Sequence, residues 1–222
     1  MLSSKVLPVR TRRAAVAMRS GAVSYTHLDV YKRQVPVRSV MALGGASRNA
    51  IDNALPGIVG RGVLVDIARA RGVEWLQAGE SIEPDELDSA LAAQGVSVGS
   101  GDIVVLRTGW RRKALVEGWE NWLAGNPGLG LACAPWLHDK EVAAVVSDNW
   151  GIEVSPAAEG TGILPLHCVL IRDLGMMLGE ILDLEELAAD CAADGVWDFF
   201  LSAAPLRVVG GVGSPVSPLA IK

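Results

Sequence analysis

Three short runs of β-branched and apolar residues constrain this chain more than any other feature. They are G-R-G-V-L-V-D-I-A (Gly60–Ala68), Ile103–Leu106 and Val142–Val146. Each is too short for a helix, lacks a polar stripe and is bounded by glycine or charged residues, which is the pattern of a buried strand. Helical stretches lie between the runs. Pro84 suits a first helical position, with Asp85 and Glu86 behind it, and this helix is expected to reach about Gln94, where Gly95 closes it. A shorter helix is expected over Ala134–Glu141. Strands that alternate with helices and carry polar residues at their ends predict an α/β domain whose site gathers around those ends.

Several polar residues fall at such ends. Arg107 and Thr108 follow the second strand, and Asp148, Asn149 and Trp150 follow the third. Arg107, Asp148, Asn149 and Trp150 are therefore the candidates for substrate contact. Asp102 precedes its strand and is a weaker one. Trp119 and Trp122, in a less regular region over 111–130, read as packing residues. Near the C-terminus, Asp183 is expected to cap a helix with Glu186 at the capping-box position. That helix runs to about Ala193, a last strand covers Val196–Ala203, and Gly210–Pro218 reads as loop.

The stretch P-L-H-C-V-L-I-R-D-L-G-M-M-L-G-E-I-L-D-L-E-E (Pro165–Glu186) holds His167, one of three histidines, and places Glu180 thirteen residues later. A short helix, a glycine stop and a buried strand ending at Glu180 would fold the imidazole back onto the carboxylate. Such a pair suits Zn²⁺ or Mn²⁺. His138, beside Asp139 in a Pro-Trp helix start, reads as structural or surface.

Charge divides the chain. Residues 1–40 carry eight basic residues against one acid, Asp29, and the remainder carries twelve basic against twenty-four acidic residues. An acidic body argues against a nucleic-acid partner. No run of about 18 uncharged apolar residues occurs, so no membrane span is expected. Cys133, Cys168 and Cys191 lack metal or redox spacing and fit a reducing cytoplasm. Residues 1–22 are Arg-rich and acid-free, like a mitochondrial presequence, though a disordered arm or a mis-called start fits as well. Residues 23–34 (V-S-Y-T-H-L-D-V-Y-K-R-Q) hold both tyrosines of the chain and resemble translated sequencing-adapter DNA. Steady composition begins at Val35, and turns are expected at Gly44–Asn49 and Pro56-Gly57.

Several segments together resemble the metal-dependent cyclase family, which includes bacterial kynurenine formamidases and related amide hydrolases. They are G-I-V-G-R-G-V-L-V-D (Gly57–Asp66), G-D-I-V-V-L-R-T-G-W (Gly101–Trp110), A-P-W-L-H (Ala134–His138) and V-S-D-N-W (Val146–Trp150). The P-L-H segment, L-G-E-I-L-D-L-E-E-L-A-A-D-C (Leu178–Cys191) and G-V-G-S-P-V-S-P-L-A-I (Gly211–Ile221) complete the ordered set. The resemblance implies a swivelling β/β/α domain, N-terminally incomplete, over 35–222, and composition makes residues 1–34 a basic, disordered or non-native arm. It implies a homodimer or larger assembly, a small amide or ester substrate, and a divalent metal, Zn²⁺ or Mn²⁺. His167 and Glu180 map onto the later pair of the family's metal ligands.

The family's early H-x-G-T-H-x-D-x-P-x-H motif has no counterpart after Val35. Thr26-His27-Leu28-Asp29 matches only its T-H-x-D core, with Val23 and Arg33 where the first and last histidines belong, so no metal role is carried onto His27 or Asp29. Two readings stay open: a metal-dependent amide hydrolase of the arylformamidase type, or a non-catalytic α/β remnant without the first motif.

Overall fold

The computed structural model describes residues 41–42, 45–46, 50–54 and 57–222. The arm over 1–34, with His27 and Asp29, lies outside them, as do Gly44, Ser47, Arg48, Asn49 and Pro56 of the expected turns. The main sheet contains β1 (Ile58–Asp66), β2 (Ile103–Arg107), β3 (Ala144–Ser147), β4 (Met177–Gly179), β5 (Asp198–Pro205) and β6 (Val216–Ile221). Their order is β6-β5-β1-β2-β3-β4. Strands β1 to β4 are parallel neighbours, while β5 runs antiparallel to β1 and β6 antiparallel to β5. The parallel half places the ends of β1, β2, β3 and β4 on one rim, where Asp66, Arg107, Asp148 and Glu180 lie.

The apolar runs form strands because both faces of the sheet are covered. Val63, Val65, Val104, Leu106 and Val145 point into one cluster, with Leu87 and Leu91 of α1 (Pro84–Gln94) and Leu137 of α3 (Cys133–Asp139). Leu64, Ile103, Val105 and Ala144 point into the other, with Ala188 and Cys191 of α4 (Glu185–Asp194). Burying each Leu or Ile side chain contributes about 1.5–3 kcal/mol, so the two layers fix where the strand ends fall.

Helix α1 begins at Pro84 and ends at Gln94, with Gly95 left-handed at φ 68°, as its sequence requires. Three expectations are corrected. The irregular region over 111–130 contains a helix, α2 (Trp110–Glu117), which forms because Trp110 and Ala114, one turn apart, are buried on the same side. Helix α4 begins at Glu185 with Leu184 at the cap. Asp183 only reaches the Glu185 N–H at 3.4 Å, so the expected capping box is displaced. The tail is a strand from Val216, paired from Val216↔Pro205 to Ile221↔Phe200. Pro218 is tolerated there because β6 is an edge strand, with no outer neighbour among the described residues to receive an N–H. No helix among the described residues is long and apolar enough to cross a membrane.

Candidate metal centre

His167 follows Pro165 and Leu166 in a short helical turn that continues as a wider helix over Cys168–Asp173. Leu166 and Leu170 are fully buried and anchor this turn to the core, leaving the imidazole at the surface of the rim. Glu180 lies directly after β4. The fold-back brings His167 Nε2 to 3.0 Å from Glu180 Oε1, although the two are thirteen residues apart.

The other ring nitrogen meets a residue that the sequence did not single out. Glu153, 2 % exposed, lies 2.7 Å from His167 Nδ1. Its carboxylate also accepts the backbone N–H groups of Leu166, at 2.9 Å, and His167, at 2.8 Å. The signal for it was faint: a lone carboxylate between Ile152 and Val154. Bonded to Glu153 and then to Glu180, the His167 imidazolium is stabilised and its pKa is raised to about 9, against the opposing effect of burial.

Two strained backbone positions aim the carboxylates. Ile152, just before Glu153, has φ 55°, and Ile181, just after Glu180, has φ 62°. A β-branched residue in this left-handed region costs about 1–3 kcal/mol and persists only where its surroundings hold it. Asn149 holds both. Its side-chain oxygen accepts the Ile152 N–H at 2.8 Å, and its backbone oxygen accepts the Ile181 N–H at 2.9 Å. The Asn149 amide also donates to the Pro127 carbonyl at 2.6 Å.

The remaining candidates have their polar groups engaged within the protein. The Asp148 carboxylate accepts Thr108 N–H at 2.9 Å, Thr108 Oγ1–H at 2.7 Å and Gly109 N–H at 2.6 Å. Burial nevertheless pushes its pKa up to about 6, outweighing those bonds and nearby Arg107. Arg107 bonds Asp66 at 2.8 Å and clamps both oxygens of Glu185 at 2.9 Å. Burial opposes its charge, but these partners raise its pKa. Trp150 Nε1 donates to the Gly125 carbonyl at 3.1 Å. His138 lies at the surface, 3.0 Å from Asp139.

Two donors that share one ion, each about 2.1 Å from it, lie roughly 3–3.4 Å apart. The His167–Glu180 separation fits, and a carboxylate on the far nitrogen is the usual support of a ligating histidine. No group of three His, Cys, Asp or Glu side chains that could hold a metal occurs among the described residues. The separation and the supporting carboxylate are those of two members of a divalent ion's ligand set.

The Cyclase family model matches residues 15–154. An isatin hydrolase of Roseibium aggregatum is 29 % identical over 140 residues, covering 61 % of this chain and 51 % of the relative. A crystal structure of a novel cyclase superposes with a TM-score of 0.73 at 41 % identity, covering 85 % of this chain and 62 % of that one. A structure described as a potential metal-dependent hydrolase with cyclase activity superposes with a TM-score of 0.53 at 24 % identity, covering 81 % and 72 %. The chain thus spans about half the length of the curated relative it matches. With the Cyclase model matching well over half of its residues and a cyclase structure superposing on most of its fold, the chain belongs to the cyclase family, which has hydrolases among its members.

Proposed function

We propose that this protein is a metal-dependent hydrolase of a small amide, of the formamide or cyclic-amide kind, and that His167 and Glu180 are two of its metal ligands. The observation that carries the reading is the 3.0 Å convergence of His167 Nε2 on Glu180, backed by buried Glu153 at Nδ1. An isatin hydrolase among the relatives and a structural neighbour described as a potential metal-dependent hydrolase support the reaction class. An imidazole nitrogen with a carboxylate suits Zn²⁺ or Mn²⁺. When bound, such an ion supplies Lewis acidity and an activated water near neutral pH.

The protein's own groups have separable roles. His167 presents Nε2 while Glu153 keeps a proton on Nδ1, and Glu180 supplies negative charge at the open face. Asp148 has the pKa of a proton carrier at neutral pH, a frequent mark of a functional group. With its acceptors occupied and 1 % of its surface exposed, it is read as a structural group that shapes the rim. Arg107 and Asn149 share that role, and Trp150, half-buried, is the member of the set nearest to solvent. Three free thiols favour a cytoplasmic setting, and exposed Phe200, Leu219 and Ile221 on the β5–β6 hairpin favour a homodimer or larger assembly.

The test is metal content and hydrolysis together. Purified protein supplied with micromolar Zn²⁺ or Mn²⁺ should retain near-stoichiometric metal, His167→Ala should lose it, and aryl formamides or cyclic amides should be turned over. A metal-free, inactive protein would instead favour the non-catalytic reading, which rests on the lack of the early H-x-G-T-H-x-D motif after Val35.

A further inference from the structure

We infer that Glu153 is the positioning residue of this centre: it fixes the His167 ring with the proton on Nδ1 and Nε2 turned to Glu180. The inference rests on the metal reading above for its purpose, and on geometry alone for its content.

A carboxylate with 2 % exposure is costly unless its charge is met by donors. Glu153 meets three. Two are the Leu166 and His167 N–H groups, which lie in the first turn of a helix begun by Pro165 and have no partner inside it. The preceding residue, Leu164, has no side chain able to cap them, so Glu153 caps the turn from thirteen residues upstream. A cap needs only those two bonds. The third, to the His167 ring at 2.7 Å, is not required for capping and decides which nitrogen is left for a ligand.

The same carboxylate thus holds both the backbone and the ring of one residue, which fixes the ring plane as well as the tautomer. Glu153 cannot itself serve as a ligand at the open face, because both its oxygens are engaged and buried. The strain at Ile152, with φ 55°, points the same way. A β-branched residue is held left-handed at the one position that turns Glu153 inward.

The experiment compares wild type, Glu153→Gln and Glu153→Ala. Zn²⁺ affinity is measured by competition with a chromogenic chelator, and the His167 ring protons are followed by ¹⁵N-resolved NMR in the metal-free protein. Far-UV circular dichroism checks the fold. Loss of a supporting carboxylate typically weakens metal affinity by about 10–100-fold, and that loss is expected in Glu153→Gln with an unchanged circular dichroism spectrum. The Nδ1 proton should be protected from exchange in wild type and exchange faster in Glu153→Gln. Glu153→Gln keeps one acceptor for the two cap N–H groups and Glu153→Ala keeps none, so Glu153→Ala should lose more stability.

Equal Zn²⁺ affinity and equal ring-proton exchange in wild type and Glu153→Gln would overturn the inference while leaving the metal reading intact. A wild type that binds no Zn²⁺ but shows a protected Nδ1 proton, lost in Glu153→Gln, would overturn the metal reading and uphold the role of Glu153.

Discussion

Asn149 and Ile152 are joined by a 2.8 Å hydrogen bond from the Ile152 N–H to the Asn149 side-chain oxygen, and through it Asn149 governs where Glu153 points. Its backbone oxygen does the same for Ile181, next to Glu180. One residue at the end of β3 therefore ties together the two segments that carry the partners of His167. Asn149→Ala leaves the Ile152 N–H and the Pro127 carbonyl unpaired in the interior, at about 1–3 kcal/mol for each unsatisfied group. Urea denaturation should show that loss, and metal retention should fall with it. Unchanged stability would mean that Ile152 holds its conformation without help.

The Arg107 network makes a second prediction. Its guanidinium joins Asp66 at the end of β1 to Glu185 at the start of α4. Arg107→Met removes one of the two guanidinium charges that meet fully buried Asp66, and Arg69 stays at 3.2 Å, so the cost should fall below the about 3–5 kcal/mol of a fully unpaired buried charge. Arg107→Lys should recover only part, because a single ammonium cannot reproduce the paired bonds to Glu185. A thermal-denaturation series on the three proteins checks this. A Met variant as stable as wild type, with a raised KM for substrate, would return Arg107 to a substrate-contact role.

Asp148 predicts a pH dependence of unusual sign. Its folded pKa, about 6, stands above its ordinary value of 3.8, so between these values the folded protein holds the proton more tightly than the unfolded chain. The stability contributed by this group is full below about pH 4 and is lost as pH rises through about 6, opposite to a salt-bridged carboxylate. Urea midpoints collected from pH 4 to pH 7 should contain this falling component, and Asp148→Asn should lack it. A wild-type-minus-variant difference that rises over the same range would contradict the assignment.

Gly128 gives a steric test. A Cβ there would press on the backbone of Ile152 and Glu153, reaching the Glu153 carbonyl carbon at 2.6 Å, and main-chain atoms cannot swing aside as a flexible side chain can. Gly128→Ala should destabilise the protein by about 1–3 kcal/mol and move the Glu153 segment. The His167 ring resonances should shift through Glu153, which the ring bonds at 2.7 Å. Unshifted resonances would show that the Glu153 segment adapts independently of the ring.

The strands β1 and β2 and the helix α1 were legible in the sequence because their signals are local. A β-branched run between breakers, or a proline followed by acids and closed by a glycine, needs no distant partner to be read. The fold-back of His167 onto Glu180 was legible for the same reason, since helix, glycine stop and strand lie within one short stretch. The tail strand was not. Val216–Ile221 holds proline and serine, and it is a strand only because β5 offers an edge to pair with.

Glu153 and the roles of Asp148, Asn149 and Arg107 belong to the tertiary structure alone. Position at a strand end marks a residue as near the rim, but whether its polar atoms face a substrate or the protein depends on donors brought in from far along the chain. Thr108 reaches Asp148 from forty residues away, and Asp66 meets Arg107 across forty-one. The sequence determined that the three apolar runs become β1, β2 and β3 and which residues follow them at the rim, since local propensity and burial decide that. Only the packed chain decided which carboxylate meets His167 and which are sealed, because burial without a donor is too costly to leave that choice open.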